Sequence, residues 1–300
     1  MSERVPVLVN AGGGTARTLG ERCPAEVEAA FAAAGMTVDV RMVPGGAIGR
    51  EAAALAGRRL VVVGGGDGTL GTAAGELAKS GATLGILPLG TRNHLARDLG
   101  IPDDLGEAAK LIASGSVRRI DLARVNGHAF VNNASIGAYP HLVEERDRHT
   151  GPKWLGTIPA VLSVLKNLRH HRLRLQSGDQ ERPIATPLLF VGNNRYALDA
   201  GHLGERAALA DGVLSVFAVA AQRRRELIGF GLRTLLGRAD AGRDFAAIDD
   251  TPVLTVAGHA RLIAVALDGE VMRLPLPLRF KVEAGALAVV APLEGKAATA

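Results

Sequence analysis

The chain has 300 residues, 47% of them hydrophobic and only 3% aromatic, with 35 Lys and Arg against 30 Asp and Glu for a formal net charge of +5. That is enough apolar material for one large or two ordinary cores, but no run approaches the ~20 uninterrupted apolar residues of a membrane-spanning helix. A single cysteine, Cys23, excludes an internal disulfide and any cysteine-based metal cluster, and the basic balance favours nucleotides or acidic lipid surfaces over nucleic acid, for which the stacking rings are missing.

The first ten residues, Met1 to Asn10, carry an early acidic residue and an apolar run too short for a signal peptide, which predicts a cytoplasmic chain with no transmembrane segment. Val5 to Val9 reads as a first strand, followed by a glycine-rich loop, Asn10-Ala-Gly-Gly-Gly-Thr15. Glu26 to Ala34 reads as an alanine-rich helix ended by Gly35, Met36 to Val43 as the second strand, and Gly49 to Ala56 as a short helix.

Leu60 to Val63 are apolar without alternation, the pattern of a parallel strand covered on both faces. Gly64, Gly65, Gly66 and Gly68 then strip nearly every β-carbon from the turn, leaving backbone N–H groups free to lie against something bulky. With Thr69 as N-cap, Leu70, Ala73, Ala74 and Leu77 recur at helical spacing, so a helix N-terminus faces back to the turn. Unpaired N–H groups and the helix dipole make that an anion site. The alternative is a tight turn with no ligand. Asp67 weighs on the choice, because a carboxylate within a phosphate-binding turn calls for an intervening cation, which points to Mg²⁺.

Thr83 to Leu87 reads as the fourth strand and leads into Pro88-Leu-Gly-Thr-Arg-Asn93. Thr91 is the expected N-cap of a helix carrying Leu95 and Leu99, with Gly100 and Pro102 as the stop. Asp104 to Glu107 reads as a capping box opening a helix to Ser114. Strands alternating with helices imply an α/β domain with a parallel wound sheet, and ligands then bind beyond the carboxyl ends of its strands, where the glycine loops fall.

From about Val117 the texture turns to strands. Asn126-Gly127 is a hairpin signal between Val117–Val125 and His128–Asn132, and further strands are predicted at 188–191, 213–220, 251–257, 260–267 and 287–290. The resulting division is a nucleotide-binding α/β domain over 1–124 and a β-rich, sandwich-like domain over 125–285, with a strand near 286–292 left free to return to the first. Arg169-His-His-Arg172 and Arg223-Arg-Arg225 are the densest basic runs, either solvated faces or membrane-docking elements. Trp154, Leu155, Ile158 and Leu162 form either a core stripe or an acyl pocket.

Four separated motifs, Gly65-Gly-Asp-Gly-Thr69, Pro88-Leu-Gly-Thr-Arg-Asn93, Asp211-Gly212 and Asp268-Gly-Glu270, stand in the order and spacing of the diacylglycerol kinase catalytic family, which the chain resembles from Val5 to about Pro292. The resemblance implies a lipid kinase using ATP and Mg²⁺ on a lipid hydroxyl, diacylglycerol or a related lipid, peripheral at the inner membrane surface. Gly64, Gly65, Gly66, Asp67, Gly68, Thr69 and Leu70 would hold the nucleotide phosphates, with Asn10, Gly12, Gly13 and Gly14 from the first loop and Thr91 and Asn93 from the fourth. Glu270 resembles the family's proton acceptor. Asp211 resembles the side-chain ligand of a structural Mg²⁺, flanked by the carbonyls of Ala208 and Val213, with Asp67 and Asp121 in a carboxylate and water network tying that ion to the site.

Two positions depart from the family pattern. His94 stands where aspartate is usual, and Arg41 stands about where a threonine touches the nucleotide, so Arg41 is either a phosphate partner or a surface residue. The rival readings are a NAD or sugar kinase of the same superfamily and a non-catalytic, membrane-binding nucleotide sensor. Oligomeric state stays open, a homodimer included.

Overall fold

The computed structural model describes residues 4–137, 170–196, 206, 208–219 and 245–293. The chain divides into two compact units, one of Met1–Leu122, His128–Asn132 and Glu283–Ala300, the other of Ala123–Gly127 and Asn133–Val282.

In the first unit the chain runs β1 (Val5–Asn10), α1 (Gly14–Leu19), α2 (Cys23–Ala33), β2 (Val38–Val43), α3 (Ile48–Ala54), β3 (Leu60–Gly65), α4 (Asp67–Ser80), β4 (Thr83–Pro88), α5 (His94–Asp98) and α6 (Leu105–Ser114). The strands pair in parallel in the order β2-β1-β3-β4. Val7, Leu8 and Val9, then Val61, Val62 and Val63, are fully buried in succession, because helices cover both faces of the sheet. Phe31, Leu70, Leu77 and Ile112 supply the helical side of the core. Cys23 is buried among them at the start of α2, where burial pushes its thiol above the ordinary range, so it serves as a small core residue.

Local capping explains several boundaries. Asp104 accepts the Glu107 N–H at 2.9 Å, while the Glu107 side chain turns to Lys110 at 2.7 Å, so only half of the expected capping box forms. Gly81 closes α4 in the left-handed conformation, φ 71°.

β5 (Ser116–Val125), which begins in the first unit and ends in the second, turns at Asn126 and Gly127, φ 47° and 89°, into β6 (His128–Phe130) of the first unit, the two-residue hairpin that Asn-Gly signals. The strands of the second unit pair antiparallel. Next come β7 (Asn133–Gly137), β8 (His171–Ser177), β9 (Gln180–Thr186), β10 (Leu188–Asn193), β11 (Leu214–Val219), β12 (Phe245–Thr251), β13 (Val253–Gly258), β14 (Leu262–Leu267), β15 (Glu270–Pro275) and β16 (Leu278–Ala291). One sheet has the order β12-β11-β10-β7-β14-β15, and β16, β13, β8 and β9 follow one another in the other. β16 is shared along its length: its first residues pair antiparallel with β13, and Ala288 and Val289 pair in parallel with Thr83 and Leu84 of β4.

The architecture is therefore the expected α/β part with a parallel wound sheet plus a β-rich part. Sequence pattern passes over β7, β8, β9, β12 and β15. In β8 every second residue is charged or polar, and β9 contains Pro183, so neither looks like a buried strand until its partners supply the apolar face. The predicted stripe of Trp154, Leu155, Ile158 and Leu162, and the basic residues Arg169 and Arg223 to Arg225, lie outside the described residues.

Candidate functional site

At the carboxyl edge of the parallel sheet, the loops after β1, β3 and β4 pack against one another. Gly90 lies so close to Gly66 that any β-carbon on Gly90 would collide with the Gly66 backbone and with Asn93 Oδ1. Gly65 is equally closed, by the Thr69 side chain, and a β-carbon on Gly14 would meet Thr91 Oγ1 at 3.1 Å. Much of the glycine content thus serves loop-on-loop packing.

Asn10 fastens the first loop to the third. Its Nδ2 donates to Thr69 Oγ1 at 2.8 Å and its Oδ1 accepts the Gly12 N–H at 3.0 Å. Asn93 fastens the fourth loop to itself. It adopts the left-handed conformation (φ 49°), accepts the Gly90 N–H at 3.0 Å and donates to the Pro88 carbonyl at 3.0 Å. Thr15 N–H donates to the Leu89 carbonyl at 3.0 Å, joining the first and fourth loops directly.

These contacts correct two expected caps. The N-cap of α4 is Gly66, not Thr69, and it carries no side chain to bond the first-turn amides. The cap position of α5 is Asn93, not Thr91, and the bonding is supplied from a distance: Asp67 accepts the His94 N–H at 3.1 Å and the Leu95 N–H at 3.0 Å, one on each carboxylate oxygen. Asp67 is only 9% exposed, yet two amide donors already stabilise its charge. Its presence in the turn therefore does not by itself require a cation.

His94 sits beside this carboxylate with its Nδ1 3.1 Å from an Arg97 guanidinium nitrogen. A guanidinium only donates, so Nδ1 accepts and the neutral ring carries its proton on Nε2. Burial depresses the imidazole pKa; Asp67 opposes the shift, and Arg97 and Arg92 reinforce it. Asp121, 2% exposed on β5, accepts the Gly285 N–H at 2.8 Å. Arg41 lies within β2 with its guanidinium on Asp39 at 2.7 Å, both about half exposed.

The second unit presents two acidic turns. Asp268 and Gly269, φ 47° and 88°, make the two-residue turn between β14 and β15, and Glu270 is the first residue of β15, opposite Leu267. Asp268 locks the turn: its Oδ1 accepts the Asn133 N–H at 3.0 Å and its own N–H donates to the Asn133 carbonyl at 2.9 Å. Glu270 keeps an exposed surface, but partial desolvation at the strand end pushes its carboxyl above the ordinary carboxylate range. That favours a group able to take up a proton. Asp268→Ala is expected to cost about 1–3 kcal/mol, from the lost bond and from an alanine forced to positive φ. Urea unfolding beside wild type checks it.

The other acidic turn is organised by Asn194, fully buried and at φ 72°. Its Oδ1 accepts the Asp211 N–H at 2.8 Å, and its N–H donates to the Val213 carbonyl at 2.9 Å. Asp211 and the Ala208 carbonyl are hard oxygen donors suited to Mg²⁺, whereas the Val213 carbonyl already accepts one bond. Among the described residues no three His, Cys, Asp or Glu side chains gather closely enough to hold a metal, so any ion here relies on carbonyls and water besides Asp211.

The structure thus brings together Asn10, Gly12, Gly13, Gly14, Gly64 to Thr69, Thr91 and Asn93 within the first unit, and it sets Arg41 on Asp39. Sequence reading left out Gly90 and Asn194 as position-setting residues. An extra glycine within the fourth loop was the available signal for the first. Nothing local marks the second.

A family model of the diacylglycerol kinase catalytic domain matches residues 4–125. The chain is 34% identical over 247 residues to a Pseudomonas aeruginosa protein named probable lipid kinase YegS-like, covering 81% of this chain and 80% of that protein. It is 30% identical over 192 residues to the Escherichia coli protein named probable lipid kinase YegS, covering 61% and 64%. A crystal structure of a diacylglycerol kinase from Bacillus anthracis shares the fold, with a TM-score of 0.67 at 22% identity over 96% of this chain and 97% of that one.

Proposed function

The chain belongs to the lipid kinase family built on the diacylglycerol kinase catalytic domain, and from that premise we propose that it transfers the γ-phosphate of ATP, with Mg²⁺, to the hydroxyl of diacylglycerol or a related lipid. The observation that carries the nucleotide assignment is the start of α4. The first-turn amides have no side-chain cap at Gly66, and three mutually packed loops surround them with backbone rather than side chains. Polyphosphate is the ligand that such amides favour.

In this reading the nucleotide phosphates lie against the backbone of Gly64 to Leu70, with Gly12, Gly13, Gly14 and Thr91 beside them. Asn10, Asn93 and Asp67 act by holding the loops in place. Glu270 accepts the hydroxyl proton as the lipid oxygen forms its bond to the γ-phosphorus, and the bond to the β,γ-bridging oxygen breaks to release ADP. Most of the rate comes from positioning and charge neutralisation, with the base a smaller part. Mg²⁺, held by Asp211 with the Ala208 and Val213 carbonyls, would supply positive charge to that arrangement. Phosphorylation of a lipid inside a bilayer implies peripheral association with its surface. Among the described residues no helix is long and apolar enough to cross a membrane.

Transfer of label from γ-labelled ATP into a panel of lipids in mixed micelles, with Mg²⁺ and with chelator, tests the reading. The expected result is a labelled lipid that disappears with chelator. Tight nucleotide binding without transfer to any lipid would refute it and favour a soluble acceptor such as NAD.

A further inference from the structure

The part of the second unit formed by β16, β13, β8 and β9 buries one face and exposes the other. Leu173 and Leu175, Leu254 and Val256, and Leu278 and Phe280 are all at most 4% exposed and define the inner face. Register places the alternate residues together outside: Arg279 lies opposite Thr255, which lies opposite Gln176; Lys281 lies opposite Val253; Arg174 lies opposite Ala257; and Arg172 lies beside Ala185. Residues facing each other across antiparallel strands project to the same side. Arg172, Arg174, Arg279 and Lys281 therefore share one solvent face, about 15 Å across at ordinary strand spacing.

The acids on this face are few. Glu181 stands 3.5 Å from Arg174, both more than half exposed, and Glu283 ends the row where β16 leaves the unit. Between the cations the surface is small, apolar or uncharged, and Val253 is 53% exposed. Two shallow hollows open on it. One, of about 640 Å³, is bordered by Arg124, Val253, Arg279 and Lys281, and the other, of about 560 Å³, by Arg172, Arg174, Ala257 and His259.

We propose that this face is the surface by which the protein docks on an anionic lipid bilayer, with the hollows receiving lipid phosphate groups. The choice of a bilayer rests on the lipid-kinase reading; the charge complementarity stands on the face itself. A second copy fits poorly. Two-fold pairing of the face would oppose like charges, and β9, at the end of its strand order among the described residues, is blunted as an edge by Pro183, which follows the exposed Glu181 and Arg182. Nucleic acid fits poorly too, since the face carries no aromatic ring on which a base could stack.

Cosedimentation of the full chain with phosphatidylcholine vesicles, and with vesicles containing 30 mol% phosphatidylglycerol (a composition of roughly physiological surface charge), is the test. The variant combines Arg172→Ser, Arg174→Ser, Arg279→Ser and Lys281→Ser. Each basic side chain near an anionic surface contributes roughly five-fold to partitioning at low salt, so the variant is expected to lose on the order of a few hundred-fold, with Arg172→Lys, Arg174→Lys and Arg279→Lys together retaining binding. If the four-site variant does not fold, the Arg172→Ser, Arg174→Ser pair is expected to lose about twenty-fold.

Transfer to a short-chain diacylglycerol dissolved as monomer, measured on the same proteins, separates the two readings. Equal soluble transfer by wild type and variant with vesicle binding lost only in the variant supports both. Vesicle binding lost in the variant, with no transfer by either protein to this or to any lipid of the panel, keeps the docking face and refutes the kinase. Partitioning equal in variant and wild type overturns the docking face, as does wild-type indifference to phosphatidylglycerol. A dimer that the substitutions split, or duplex DNA bound in preference to vesicles, overturns it as well.

Discussion

Glu270→Gln is expected to slow phosphate transfer by roughly 10²–10⁴-fold while leaving nucleotide binding and unfolding midpoint close to wild type. The side chain is exposed at a strand end, so little packing is lost, and the amide keeps its shape but cannot accept the hydroxyl proton. The wild-type pH profile carries a second signature. Desolvation raises the Glu270 pKa, so the carboxylate form needed by a base is lost on acidification earlier than for an ordinary glutamate near 4.3. kcat/KM should rise with pH through that raised pKa and level off above it, and the limb should vanish in the glutamine variant. Unchanged transfer by Glu270→Gln on the preferred lipid would remove the residue from the chemistry.

The second large effect is expected at Asp67. Asp67→Ala leaves the His94 and Leu95 amides without their acceptor in a buried setting, and hydrogen bonds to a charged group contribute roughly 1.5–3 kcal/mol each. A loss of about 3 kcal/mol or more in urea unfolding should follow, with nucleotide affinity falling because the loop carrying Thr91 is no longer tied to the turn of Gly64 to Thr69. Asp67→Asn separates two roles. Its single carbonyl oxygen can still take one amide, so stability should recover in part. If transfer nevertheless stays as low as in the alanine variant, the charge itself matters to the reaction; recovery of transfer in proportion to stability would assign Asp67 to loop positioning alone.

His94 bears on the same corner. The neutral ring accepts from Arg97 and stands next to a carboxylate already engaged by two amides. It supplies no negative charge to a metal, so any charge that balances a cation at this corner comes from other residues.

What the sequence determined by itself was local. Unbroken apolar runs marked β1, β3 and β4, glycine clusters marked the loops beyond them, and Asn126-Gly127 and Asp268-Gly269 marked hairpin turns. Each of these depends on backbone conformation and on burial set by near neighbours. The four motifs in order, together with the family resemblance they carry, were legible for the same reason.

Only the tertiary structure decided where polar side chains spend their bonds. The two amide bonds of Asp67 are invisible in any local window because its partners, His94 and Leu95, lie 27 and 28 positions away. Asn10 is separated from Thr69 by 59 positions, and Asp268 from Asn133 by 135. The basic face follows the same logic: Arg172 and Arg174 come from one strand, Arg279 and Lys281 from another more than a hundred residues later, and their registers with β13 between them set all four on one face. A short-range pattern encodes which way a residue can bend the chain, whereas the partner of a buried carboxylate or the neighbour of an exposed cation is chosen by strand pairing and loop packing, which no local window contains.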